Sequence, residues 1–223
     1  MKKAFWLSIA CLSCLWAAQA QADPITTLYN TGVDASHTVL ADSTIGDPHY
    51  SLSSAPIGST TVALIRTSAG GFPIPPYLGD NASSTWIGPN NAHNLVSPVG
   101  NYFWQTTFDL TGFNPSTAVV TGNWTTDNKG GNIFLNNAPL GFTTDGNFAK
   151  FNSPFSISSG FIGGVNTLTF LVNNSGASAN PTSLRVEMTG TASTALPEPD
   201  SLLLLLLGSG LLGVAAWRLK KSA

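Results

Sequence analysis

Between Gly100 and Leu110 the sequence reads GNYFWQTTFDL, in which Tyr102, Trp104, Thr106, Phe108 and Leu110 alternate with Phe103, Gln105, Thr107 and Asp109. A period of two places these two sets on opposite faces of an extended chain, and only a β-strand buries such a set on one side. The same pattern returns at TTVALIRT, STAVVTGNWTTDN, GNIFLNN, NTLTFLVNN and TSLRVEMTG. In the last of these Leu184, Val186 and Met188 are expected to face inward, and Arg185 and Glu187 outward. Gly, Pro and Asn clusters end every run, and no stretch of the body keeps a 3.6-residue apolar period long enough for a substantial helix. The expected fold is therefore all-β, with eight to ten strands forming an antiparallel β-sandwich or jelly roll from about Ile25 to Thr191.

The two ends differ from this body. The start, MKKAFWLSIACLSCLWAAQAQADP, has a basic beginning, an apolar centre and small residues at Ala18, Ala20 and Ala22, the pattern of a secretory signal peptide over residues 1–22. Cys14 allows a lipoprotein signal, although Cys11 stands where such a signal usually has Leu. Both cysteines leave with a cleaved signal, so the exported body, residues 23–194, has no disulfide and relies on its core. At the other end, Leu202 to Trp217 contains no charge and only Ser209 as a polar side chain. As a helix over about 201–217 it can enter a bilayer, but it is shorter than the roughly 20 residues that span one comfortably. A buried C-terminal helix is the alternative, disfavoured because six consecutive leucines make the surface apolar on all sides. With Arg218, Lys220 and Lys221 retained on the cytoplasmic side, the body lies outside the inner membrane.

Pro197, Glu198 and Pro199, followed by that apolar run and a basic cluster beginning at Arg218, resemble the PEP-CTERM sorting signal of Gram-negative bacteria that make extracellular polysaccharide. The resemblance covers residues 195–223. It implies an exosortase, a membrane-embedded cysteine protease-like enzyme, as partner, with Pro197, Glu198 and Pro199 as its recognition site and Arg218 in the basic stop. It further implies anchoring in the inner membrane before processing and delivery to the cell surface or medium afterwards. Two prolines fix φ and resist both helix and sheet, which suits a segment held extended in a protease cleft.

The second half of the body, from about Asn101 to Met188, is similar to galactose-binding-like jelly rolls, through Phe108 to Leu110, Trp124 to Asn128, Ile133 to Asn137 and the Gly164-Val165-Asn166-Thr167-Leu168 stretch. That resemblance implies a sugar-binding or accessory module and speaks to fold before ligand.

Charge narrows the function further. Of nine Lys and Arg residues, five (Lys2, Lys3, Arg218, Lys220 and Lys221) lie in the two terminal segments, which leaves the body four bases against nine acids. Such a body has no electrostatic footprint for nucleic acid. His37, His49 and His93 stand outside any hydrolase or metal motif, and the glycine pairs lack the Lys-Ser/Thr ending of a phosphate loop. The expectation is a non-catalytic protein associated with extracellular polysaccharide; the alternative is a secreted hydrolase or an accessory subunit of a carbohydrate-active enzyme. Trp86, before the loop IGPNNAHN, is the expected stacking platform, and Asp127 and Asn128 are expected at the rim. Asp34, Asp42 and Asp47 supply oxygen ligands of the kind a structural calcium takes, or else each closes an Asx turn or caps a strand end.

Overall fold

A computed structural model describes residues 21–42, 44–90 and 95–195, together with Gly208. The signal segment 1–20, His93, the sorting residues Pro197, Glu198, Pro199 and Arg218, and the apolar stretch 201–217, apart from Gly208, lie outside the described residues. Among the described residues no helix is long and apolar enough to cross a membrane.

The body is antiparallel β, as the alternation requires. In chain order its strands are β1 (Ala22–Pro24), β2 (Tyr50–Ser54), β3 (Leu64–Arg66), β4 (Trp86–Gly88), β5 (Val96–Ser97), β6 (Gly100–Asp109) and β7 (Val119–Asp127). There follow β8 (Lys129–Leu135), β9 (Ala138–Pro139), β10 (Ser153–Ile157), β11 (Val165–Asn174), β12 (Asn180–Pro181) and β13 (Ser183–Ser193). One sheet runs β10-β7-β13-β4-β3, with β1 beside β13. The opposing sheet runs β2-β6-β11-β8-β9, and β5 and β12 form a separate pair. The excess over the expected strand number comes from two- and three-residue pieces such as β5, β9 and β12, which are too short to show a period.

The long strands bury the residues their alternation assigns. Tyr102, Trp104 and Phe108 of β6, Val120 and Trp124 of β7, Leu168, Phe170 and Val172 of β11, and Leu184 and Val186 of β13 meet in one core between the sheets. Phe170 sits at its centre, with ring centroids 5.6 Å from Trp124, 6.2 Å from Phe155 and 6.5 Å from Tyr50. Tilted and edge-on aromatic pairs of this kind add about 0.5–1.5 kcal/mol each beyond the area they bury. Opposite Met188 of β13, Gly122 of β7 has no room for a side chain: a Cβ would lie 2.4 Å from the Glu187 carbonyl oxygen.

Turn chemistry accounts for two of the connections. Leu135 pairs with Ala138 across Asn136 and Asn137, whose φ values of 51° and 69° make a two-residue hairpin of the type that favours Asn. Ahead of β11, Asn166 is fully buried; its Nδ2 donates to the carbonyls of Ile162 and Gly164, and its Oδ1 accepts from the Ile162 N–H. The Gly-x-Asn-x-Leu stretch is thus a self-satisfied turn feeding a core strand.

One expectation about side-chain exposure is corrected. Arg185 does leave β13 on the face opposite Leu184 and Val186, but it is 0% exposed. Its Nε donates to Ser84 Oγ, its Nη1 to the Leu78 and Gly79 carbonyls and its Nη2 to the Ser84 carbonyl, and the guanidinium lies 5.4 Å over the Phe151 ring. The segment 68–84 folds across the outside of the first sheet and turns that face into a second, smaller core.

Candidate functional site

Trp86 belongs to this second core. It is 0% exposed and is grouped with Phe72 and Leu95, with Tyr77, Leu78 and Phe148 packed around them. Phe72 and Tyr77 meet the indole edge-on at 6.1 and 5.6 Å, and Nε1 donates to the Leu78 carbonyl at 2.8 Å. No face of the indole is left for a sugar, so Trp86 is not the exposed platform expected of it. Its placement before a polar loop suggests exposure, whereas it is covered by Phe72, Tyr77 and Leu78 from the segment before it and by Leu95 and Phe148 from beyond it.

Asp127 and Asn128 lie in the same neighbourhood, Asp127 buried and Asn128 half-buried, with their side-chain polar atoms bonded within the protein. Tyr77 stacks on Phe148 at 4.3 Å and donates its hydroxyl to Asp127 Oδ2, and Asn128 Nδ2 donates to Asp127 Oδ1 at 2.8 Å. Asn128 Oδ1 accepts from the Ser175 N–H, and its carbonyl accepts from Thr126 Oγ1. Burial raises the Asp127 carboxyl above its ordinary value, opposed by the bonds from Tyr77 and Asn128. Burial, and then Asp127 itself, hold the Tyr77 phenol well above its usual range. Trp86, Tyr77 and Asp127 are therefore brought together as a tie between the covering segment and the end of β7. Asp127 is not the open rim group expected.

The three N-terminal aspartates are spread over separate duties. Asp34 Oδ1 accepts from the Ser36 and Thr38 N–H groups, closing a turn. Asp42 pairs with buried Arg66 at 2.9 Å and accepts from the Thr67 N–H. Asp47 accepts from the N–H groups of Gly32, His49 and Tyr50 at 2.6, 2.8 and 3.0 Å. Burial pushes Asp47 up to about 6, and those three donors restrain the rise. Among the described residues no three His, Cys, Asp or Glu side chains come together as metal ligands. Asp34 and Asp47 each accept backbone N–H groups of the residues that follow them, while Asp42 is held in its ion pair with Arg66.

The open surface is on the other sheet. Gln105 of β6 and Phe134 of β8 are both direct partners of Thr169 on β11, so one rung spans three strands on the outer face. The next rung places Phe103 opposite Leu171, and beyond it Asn173 Nδ2 donates to Asn101 Oδ1 at 2.7 Å. Phe103, Gln105, Phe134 and Thr169, with Ser53 and Asn137 at the margins, line a shallow groove of about 320 Å³. Phe103 and Phe134 are half-buried, so each ring leaves part of itself to solvent. Gln105 Nε2 reaches Thr169 Oγ1 at 3.3 Å, which tethers the amide within the groove. Among the described residues no charged side chain lines it. The site can offer apolar ring surfaces flanked by amide and hydroxyl hydrogen-bonding groups. A signal for it is present in the sequence: Phe103 and Phe134 are large aromatics on the polar side of their strands' alternation.

No curated protein and no solved structure matches the chain. A family match lies at the C-terminal end, to a signal for export, processing by an exosortase and delivery toward the surface: residues 195–221 carry a PEP-CTERM protein-sorting motif.

Proposed function

We propose that this is a non-catalytic surface or matrix protein whose jelly roll, of the galactose-binding-like kind, associates with the cell's own extracellular polysaccharide through the outer face of the second sheet. The observation that carries the reading is the groove around Phe103, Gln105, Phe134 and Thr169, where phenyl rings lie beside amides and a hydroxyl on a rigid sheet. Sugar rings present apolar C–H faces edged by hydroxyls, and such a surface meets both halves of that chemistry. A lining without charge favours a neutral stretch of glycan over an anionic group. Exosortase processing near the Pro197-Glu198-Pro199 tripeptide, after transient anchoring of residues 201–217 in the inner membrane, delivers the body to that polysaccharide.

Titration of purified host polysaccharide into the mature body tests this. Phe103→Ala and Phe134→Ala are each expected to weaken binding about five- to 150-fold, since a stacking aromatic contributes about 1–3 kcal/mol. Melting temperatures should move little, because both rings are half out of the core. Equal binding by wild type and both variants rejects the site, and shortening of the polysaccharide during the titration points instead to a hydrolase.

A further inference from the structure

The folded body continues almost to the sorting tripeptide. Thr194 bridges to Phe113, and the Ala195 N–H donates to the Gly112 carbonyl at 2.8 Å. Just before them, Ser193 gives its carbonyl to the Asn114 N–H and its own N–H to Thr117 Oγ1, both at 2.8 Å. β1 flanks the same end, with Ala22 opposite Ser193. Glu198 follows Ala195 by three residues. An extended chain covers at most about 3.6 Å per residue, so the Glu198 Cα lies within roughly 11 Å of the Ala195 Cα. That is about the diameter of one α-helix with its side chains, roughly 10–12 Å. A protease cleft that closes around the tripeptide therefore works within about one helix diameter of the folded end.

We propose that this end of the sandwich, built from the Phe113–Thr117 turn and the last residues of the body, is a docking surface for the exosortase, which reads the folded end together with the tripeptide. The proposal rests on the assignment of the tripeptide to an exosortase. The surface has the form such a contact needs. Phe113, Asn114, Pro115, Thr117 and Thr194 line a groove of about 310 Å³. Segments 111–117 and 189–195 carry no charged side chain; at their margin the Asp109 carboxylate accepts from both the N–H and the hydroxyl of Thr111. Hydrogen bonds hold the groove rigid: Asn114 Oδ1 accepts from both the N–H and the hydroxyl of Ser116, and Thr117 Oγ1 donates to the Asn114 carbonyl. A preformed surface of this sort is recognised at low ordering cost.

The test follows processing of the full chain in cells that contain the exosortase, by pulse-chase and mass spectrometry of the released body. A twelve-residue Gly-Ser insertion between Ala195 and Leu196 moves the tripeptide away from the groove by roughly 20 Å on average. It is expected to slow processing at least fivefold. Thr194→Trp, which fills the groove from an exposed position, is expected to do the same, while Ala177→Trp, in an exposed loop outside the groove, keeps the wild-type rate. Unchanged melting temperatures of the released bodies verify that the fold is intact. An insertion variant processed at the wild-type rate or faster, or a Thr194→Trp chain that behaves like Ala177→Trp, overturns the proposal. Glu198→Ala separates this from the underlying assignment: its normal processing would sink exosortase recognition of the tripeptide itself.

Discussion

Replacing Trp86 by Ala asks whether this indole is a ligand platform or part of a core. The residue is 0% exposed, contacts Phe72 and Tyr77 edge-on and donates Nε1–H to the Leu78 carbonyl. Truncating a buried Trp to Ala costs about 3–5 kcal/mol through lost transfer energy and the cavity left behind. The Leu78 carbonyl keeps a partner in Arg185 Nη1 at 3.3 Å, so little is added for an orphaned acceptor. For a domain of 150–250 residues each kcal/mol lowers the melting temperature by about 2–4 °C, which gives a fall of roughly 6–20 °C. Trp86→Phe retains most of the packing and loses one hydrogen bond, so about 1–2 kcal/mol is expected. Differential scanning calorimetry of the mature body measures both, and glycan titration of the folded variants should give wild-type affinity. A melting temperature within about 2 °C of wild type, together with lost binding, would refute burial and restore Trp86 as the platform.

Arg185→Ala should destabilise the body by about 3–5 kcal/mol in urea unfolding, because the carbonyls of Gly79 and Ser84 and the Ser84 hydroxyl lose the donors that satisfy them. A change under about 1 kcal/mol would show that water replaces the guanidinium and that the segment 68–84 is not held by it. Asp47 titrates in the folded state near 6 against an ordinary value of 3.8, so the folded chain holds the proton where the unfolded chain has released it. Its contribution is therefore fully present below about 3.8 and lost as the pH rises through 6. Between about pH 5 and pH 7 the stability of wild type relative to Asp47→Asn should fall by about 1 kcal/mol. A difference between the two proteins that is flat or rises over that interval would count against a buried, proton-holding carboxyl.

Alternation is a local property, and the class of fold follows from it without any knowledge of distant contacts. Tyr102, Trp104 and Phe108 must share a side of any extended chain, so the main core is legible strand by strand. Asn136-Asn137 and the Gly164–Asn166 turn are legible for the same reason, since φ preference and short-range hydrogen bonds are set within a few residues. The sorting segment needs no fold at all, being read as composition and order along the chain. Alternation states which side of a strand a residue takes; it says nothing of what lies over that side. It leaves Arg185 facing solvent, as the polar loop after Trp86 does for that indole, because segment 68–84, which packs over both, has no period that would announce where it packs. Asp127 depends likewise on Tyr77, fifty residues earlier in the chain. Phe103 and Phe134 are on their polar faces in the sequence, but only the pairing of β6, β11 and β8 sets them into one groove. The covering of one sheet and the exposure of the other arise from contacts between distant segments, whose placement is decided by the free energy of the whole packed chain and not by any window of it.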